Sequence, residues 1–465
     1  MIYCEALGLV QFAHLALSRI DSLCIIQDDK QDWEIESSNM ASIFGNAYLV
    51  IGASCACNSN EGFIATTEQS RMKYITTVEN DDNSTSQIYA RDFKRHYDVC
   101  NPFSHPEGKG PISLRGWTLQ EQFLSHRMVH FEKTEIFWEC RTLIDCECLE
   151  IEGGKDHKGR FVKDYKNSLE ADFYKDDFPA HVKLAREYKI RVEKEVAAHC
   201  YRGWHAVVNS HHNRSLTFGS DFLPSLSGII THLQKCGAGE CLAGLWKNKI
   251  FDELLWYVQK DFRRAQPYRA PTWSWASIEK PRKDQRHGDN RINYDSDEFG
   301  SCQALCRIVA AACTPAGRDA NGAVTSGSII IQGKILRLQE SHKKRAQRGT
   351  IRFRDLPHDL AKDLHPMMSS YLDISEENYS GKDLYGLVVG RWTKKTDPMG
   401  GPWKIRGEVD FGQWAGLILR SVDYQNAVYE RVGMWTVDVT YINPSLVLAM
   451  EQVVERVTDS IVTIV

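Results

Sequence analysis

The stretch from Arg19 to Ala53 constrains the fold more tightly than any other part of the chain. Ile20 to Ile26 is a short apolar run of the kind that fills a buried strand, and Gln27-Asp28-Asp29-Lys30 follows as a polar loop. Trp33, Met40, Phe44 and Ala47 then recur at helical spacing. Asp32, Glu34 and Glu36 lie near the helix start, where the macrodipole favours acidic groups. Tyr48-Leu49-Val50-Ile51-Gly52 reads as a second buried strand. Strand, helix and strand in so short a span predict a βαβ unit, its strands parallel and joined by a right-handed crossover. The fold class that follows is α/β, with a mostly parallel sheet and flanking helices. Ligands of such sheets gather beyond the carboxyl ends of the strands, which makes Gln27, Asp28 and Asp29 candidate ligand-binding residues. Cys24 sits in the apolar run and is expected as a core thiol, with no local base to make it a nucleophile.

At 465 residues the chain exceeds one compact core, so two or three domains are expected. Residues 54 to 112 are polar and turn-rich, with loop signals at Asn58-Ser59-Asn60 and from Glu79 to Asn83. Arg115 to Ser125 predicts a helix. Arg127 to Phe131 and Glu135 to Cys140 predict a hairpin around Glu132-Lys133-Thr134. Helical patterns follow: Val182, Ala185, Tyr188, Val192 and Val196 mark one face, Asp221 to Leu233 a second helix, and Phe251 to Val258 a third. Lys280 to Ser301 is charged and expected as an exposed linker. The tail is strand-rich, with runs at Ser328 to Gln332, Leu384 to Trp392, Ala415 to Arg420 and Val432 to Val437. The expected organisation is an α/β domain over 1–150, a helical region over 151–280, a linker over 281–301 and a β-rich domain over 302–465.

Composition excludes several classes of function. A net charge of -4 gives no electrostatic reason to expect nucleic acid or an anionic membrane as partner. No apolar run approaches the roughly 20 residues that span a bilayer. The apolar stretch Ala6 to Leu17 lacks the basic flank and cleavage site of a secretory signal, so the 14 cysteines are expected as free thiols in a soluble, cytoplasmic protein. Cys55, Cys57, Cys140, Cys146, Cys148, Cys236 and Cys241 show no paired Cys-x2-Cys spacing, so no metal site is expected. His211-His212 reads as an exposed polar turn. No Gly-rich phosphate loop, Ser-His-Asp order or His-Glu-x-x-His motif is present, so no cofactor is expected.

Arg19 to Ser54 (RIDSLCIIQDDKQDWEIESSNMASIFGNAYLVIGAS) and Arg115 to Cys140 (RGWTLQEQFLSHRMVHFEKTEIFWEC) resemble two successive conserved blocks of fungal heterokaryon-incompatibility (HET) domains. Arg269 to Glu279 (RAPTWSWASIE) is similar to a Trp-Ser-Trp-Ala-Ser box that follows such domains. Ser215 to Ile229, Glu240 to Trp246, Glu253 to Val258 and the segment around Tyr429 are similar to other parts of such chains. The chain departs from the family pattern in lacking an opening Leu-Ser-Tyr-x-Trp-Gly block, through a late gene-model start or a truncation, so an incomplete sheet and an inactive remnant stand as the alternative to a full domain. The resemblance implies a role in non-self recognition and programmed cell death, through protein partners of an incompatibility system and with self-association left open. It also implies distant kinship with TIR domains, some of which cleave NAD, which would then be a substrate.

Within these blocks Glu121 is the candidate catalytic residue. It lies on the predicted helix beside Arg115, Trp117 and Gln120, where a carboxylate could stabilise a cationic ribosyl transition state. Asp21 and Asp28 could pair with it or fix ligand hydroxyls. The structural alternative is that Glu121 forms a salt bridge with Arg115 or Arg127 and that Asp21 accepts backbone N–H bonds. Trp273 and Trp275 alternate, so in an extended segment they share a face and form either a packing clamp onto the tail or a stacking platform.

Overall fold

The computed structural model describes residues 2–12, 18–64, 73–90, 110–132, 135–140, 144–147, 201, 203–258, 262–280, 291–294, 302–340, 351–354, 356–357, 360, 364–374, 383–394, 411–438 and 444–465. The chain folds as two compact units, Met1–Thr217 with Pro224–Gly237, and Phe218–Leu223 with Ala238–Val465.

In the first unit, α1 (Ile2–Phe12), α2 (Asp21–Cys24) and α3 (Lys30–Asn46) precede β1 (Val50–Gly52). Asp29 starts α3: its carboxylate accepts the N–H groups of Gln31 and Asp32 at 2.7 and 3.2 Å, satisfying donors that a helix start leaves open. β2 (Lys73–Glu79) and β3 (Thr85–Ala90) form an exposed hairpin that turns at Asn80–Ser84, inside the stretch expected to be turn-rich. α4 (Trp117–Leu124) follows, then β4 (Arg127–Phe131), β5 (Ile136–Cys140) and β6 (Ile144–Cys146), and α5 (Pro224–Lys235) completes the unit. The helix and hairpin expected from 115 to 140 are present. A four-stranded sheet runs β1-β4-β5-β6, with β1 parallel to β4 and the other two pairings antiparallel.

This sheet is mixed rather than mostly parallel, and the βαβ unit expected at Arg19–Ala53 is not formed. Asp21–Cys24 is one helical turn with no buried residue, and Leu23 and Ile26 are exposed. The reason is local hydrogen bonding. The Ile20 carbonyl accepts the N–H groups of Leu23 and Cys24, and the Asp32 carboxylate accepts that of Ile26 at 2.7 Å. Those groups are therefore spent within the segment and do not form a ladder. Cys24 is exposed, not a core thiol. His211 and His212 are buried, not exposed, because they end a helix over 203–212 and His211 Nε2 lies 2.7 Å from Ser225 Oγ. The helical face from Val182 to Val196 lies outside the described residues.

In the second unit, β7 (Cys241–Leu242) pairs with β8 (Leu245–Trp246), β9 (Trp256–Val258) with β12 (Ile292–Tyr294), and β10 (Arg263–Arg264) with β11 (Ile278–Glu279). The helix expected over Phe251–Val258 is instead α6 (Ile250–Glu253) followed by β9, where Trp256 and Val258 bury on one strand face. β12 lies within the charged run expected as exposed linker, yet Ile292 and Tyr294 are buried. The remaining strands are β13 (Gln303–Ala304), β14 (Arg307–Pro315), β15 (Val324–Glu340), β16 (Ile351–Phe353), β17 (Met368–Leu372), β18 (Leu384–Lys394), β19 (Phe411–Asp423), β20 (Val428–Asp438) and β21 (Asp459–Ile464). α7 (Pro444–Arg456) precedes the last of them. Here β18-β19-β20-β21-β15 is a closed ring, because β15 also pairs with β18. Closure leaves none of the five with a free edge over its whole length, and Ile331, Leu387, Leu417, Val432 and Ile464 are fully buried. The four tail runs read from sequence lie in β15, β18, β19 and β20, so this region is β-rich as expected.

Trp273 and Trp275 do not share the face of an extended segment. Trp275 opens a 3-10 turn, Trp275–Ser277, because the Ser274 hydroxyl accepts the Ala276 N–H and caps it. Both indoles are fully buried within this unit, and the Trp273 carbonyl accepts the Trp256 indole N–H at 2.9 Å. Gly244 has φ +94, and a Cβ there would stand 2.4 Å from Trp275 Cζ2, so only glycine fits beside the ring. Thr272 N–H donates to the Val465 carbonyl, which ties the box to the strand-rich tail.

Candidate functional site

α4 is held by contacts that its own sequence supplies. The Thr118 hydroxyl donates to the carbonyls of Ile112 and Arg115 at 2.8 and 2.9 Å. The Gly116 N–H donates to the Ser215 carbonyl, and a Cβ on Gly116 would reach Leu216 Cδ2 at 2.4 Å. At the other end the Ser125 hydroxyl donates to the Glu121 carbonyl at 2.9 Å and stops the helix. Trp117 meets Trp33 of α3 edge to face, with ring centroids 6.1 Å apart. Gln120 is fully buried, and its Oε1 accepts the Gly228 N–H of α5 at 3.2 Å. Gln120 therefore ties helices together. Beneath the helix, Gln122 donates to Glu139 Oε2 at 2.9 Å, and the same oxygen lies 3.0 Å from His130 Nε2.

These constraints leave Glu121 on the partly exposed side of α4. Its carboxyl is pushed up from 4.5 to about 7, chiefly by burial and further by the nearby Asp21 charge. Arg115 and Arg214 pull the other way, and burial wins. Arg214 is itself held down to about 10 by burial, with Glu121 opposing. Among the described residues no cation lies within 4 Å of the Glu121 carboxylate, so the expected salt bridge to Arg115 or Arg127 is not made at contact distance. Arg127 is engaged elsewhere, donating to the Tyr48 carbonyl at 3.3 Å and lying over the Tyr48 ring. Arg214 donates instead to the Thr118 hydroxyl at 3.0 Å and the Arg115 carbonyl at 3.4 Å.

Asp21 is half-buried and pairs with Arg19 at 3.0 Å, while Arg19 reaches Glu36 of α3 at 2.7 Å. Asp21, Arg115 and Glu121 thus fall in one electrostatic cluster. The other sequence candidates serve local structure. Gln27 donates to the Ile25 carbonyl at 2.8 Å, Asp28 is exposed in the turn, and Asp29 is the cap of α3. Arg214 is the member that sequence reasoning missed. It follows the His211-His212 segment, and only the parallel bridge between Arg115 and Ser215 brings it to α4. A lone arginine in a polar run carries no signal of such a contact.

The chemical capacity of this cluster is that of an acid–base or charge-stabilising carboxyl poised near neutrality within the fields of Asp21, Arg115 and Arg214. No cluster of metal-binding side chains occurs among the described residues, and no described helix is long and apolar enough to cross a membrane.

Residues 5–121 match the family model described as Heterokaryon incompatibility protein (HET). The match runs from α1 to Glu121 and bears out the resemblance over that span, connecting the chain to heterokaryon incompatibility. The further likenesses noted from Gln122 onward, including the Trp-Ser-Trp-Ala-Ser box, fall outside it. No curated protein and no solved structure matches the chain.

Proposed function

We propose that this chain is a signalling protein of the heterokaryon-incompatibility type, which acts in fungal non-self recognition and cell death through a protein partner. The family match over residues 5–121 carries this reading. Inducible expression in a filamentous fungus tests it. Growth arrest is expected from the intact chain. A chain that accumulates to the same level without affecting growth, alone or on fusion with strains of different incompatibility type, would overturn the proposal.

A second reading is favoured by Glu121, whose carboxyl lacks an ion pair at contact distance and titrates at about 7. In this reading the domain cleaves NAD in the TIR manner. The bond between nicotinamide nitrogen and ribose C1′ breaks with its electron pair leaving on nicotinamide. Ionised Glu121 stabilises the ribosyl cation, and water adds at C1′ to give ADP-ribose and a proton. The ionised carboxylate is the working form, so turnover should rise with pH through about 7. NAD consumption by the purified protein, lost in Glu121→Gln, is the expected result. Absence of turnover, or turnover that survives the substitution, sinks the enzymatic reading.

A further inference from the structure

A second set of charged and aromatic side chains converges far along the sequence, on the strand ring of the second unit. A cavity of about 230 Å³ is lined by Arg337, Leu338, Arg354, Asp383, Leu384, Tyr385 and Tyr424. Strand register explains why these residues meet. Arg337 of β15 stands directly opposite Tyr385 of β18. On its other side β16 runs antiparallel to β15, and the Arg354 N–H donates to the Arg337 carbonyl at 2.8 Å. Arg354, Arg337 and Tyr385 therefore form one row across neighbouring strands, on one face. Tyr424, from the turn between β19 and β20, stacks on Tyr385 with centroids 6.3 Å apart and planes at 28°.

Two arginines side by side across a strand pair repel one another and destabilise the pairing unless an anion lies between them. Here both are exposed, and neither guanidinium has a carboxylate within 4 Å among the described residues. Asp383 lines the same cavity without pairing with either. Burial, with Asp383 and Tyr424 nearby, pushes the Tyr385 phenol up, so it stays protonated and able to donate a hydrogen bond. Guanidinium forks match the oxygens of a phosphoryl group, and stacked tyrosines offer a surface to a flat ring. The volume lies below the roughly 300 Å³ where drug-sized pockets begin, so the part of an occupant held inside is about one ring and one small anionic group, and anything larger extends beyond the cavity.

We propose that this cavity binds a small phosphate monoester bearing a planar ring, with the phosphoryl group on Arg337 and Arg354 and the ring against Tyr385 and Tyr424. The proposal is independent of Glu121 and of the function proposed above.

Calorimetric titration of the full-length protein with phenyl phosphate, AMP, inorganic phosphate and phenol tests it. Phenyl phosphate or AMP should bind at least about tenfold more tightly than either inorganic phosphate or phenol, since each omits one of the two recognised groups. Arg337→Ala and Arg354→Ala should each weaken binding by about tenfold or more, as expected for charge-assisted bonds at exposed positions where the fold is retained. Tyr424→Ala should weaken the ring-bearing ligands and leave inorganic phosphate unchanged. Glu121→Gln should change none of these affinities, which separates this site from the first. Tighter binding of AMP than of phenyl phosphate assigns the site to nucleotides, and the reverse assigns it to aryl phosphates. Absence of saturable binding at millimolar concentration, equal binding of inorganic phosphate, or indifference to both arginine substitutions overturns the proposal.

Discussion

Glu121 ionises with difficulty because the protein removes water from it without supplying a contact partner, and that has a consequence for stability. The folded carboxyl titrates at about 7 against a reference of 4.5, so between these values the native state holds a proton that the unfolded chain has released. Stability contributed by this group therefore falls as pH rises through the window, and is lowest above about 7. Glu121→Gln removes the titration. Its stability relative to wild type should increase between pH 5 and 8 by about 1–3 kcal/mol. Each pH unit that separates the folded and unfolded titrations is worth about 1.4 kcal/mol, and partial exposure of the group reduces the total. Urea unfolding at the two pH values checks this, and equal differences at both would mean the carboxyl is solvated. Arg431 presents the opposite case. It is fully buried, makes a two-pronged pair with Asp373 at 2.9 and 3.1 Å, donates to the Leu254 and Trp256 carbonyls, and lies 3.6 Å over the Trp256 ring. Arg431→Met leaves the buried Asp373 carboxylate only the longer 3.9 Å pair with Arg264 among the described residues and should cost about 3–5 kcal/mol, whereas pairing it with Asp373→Leu should recover much of the loss. A double-mutant cycle measured by denaturant unfolding reads that coupling.

At the level of elements, the first unit depends on how closely three helices approach. Gly228 of α5 sits where a Cβ would meet Gln120 Oε1 at 2.7 Å and Ala41 Cβ at 3.3 Å. Gly228→Ala should push α5 from α3 and α4 and destabilise by about 1–3 kcal/mol. Gly45, near the end of α3, has nothing within 4 Å of its Cβ position. Gly45→Ala should instead stabilise by about 0.5–1 kcal/mol through helix propensity alone. Thermal melts of the two variants should move in opposite directions, and a common direction would contradict the close helix packing at Gly228. The same elements show what sequence can reveal. α3, α4 and the β4–β5 hairpin are legible because their periodicity and caps act within the segment itself. The Ile20–Ile26 run misleads because a buried strand and a short solvent-facing turn can share an apolar composition. Here the local hydrogen bonds to the Ile20 carbonyl and the Asp32 carboxylate decide between them.

Among the described strands, pairing and burial are distributed unevenly. Each strand of the ring of β15 and β18 to β21 pairs with two neighbours, whereas among the described residues β2 and β3 pair only with each other and expose every residue. Hydrogen exchange should therefore be slowest at Leu387, Leu417 and Val432 and fastest, among strand residues, from Thr76 to Val78 and Ser86 to Ile88. Comparable protection in the two sets would contradict the arrangement. Compactness divides the chain near Gly237, while charge pattern alone suggests a division at 281–301. The reason is that Ile292–Tyr294 pairs with Trp256–Val258, a contact that no local property of a charged segment reveals.

Residue order is enough to establish the family likeness, since residues 5–121 match the HET family, and it is enough for the β-rich character of the tail and the helix that carries Glu121. These are properties of contiguous residues, fixed by periodicity, capping and motif identity. Three other outcomes come from the folded chain: the Arg19–Asp29 segment turns instead of forming a strand, Arg214 joins Glu121, and Arg337, Arg354 and Tyr385 fall in one row. The first follows from side-chain and backbone hydrogen bonds that close within the segment, which apolar composition does not reveal, and the other two from which distant segment supplies the neighbour, which packing settles.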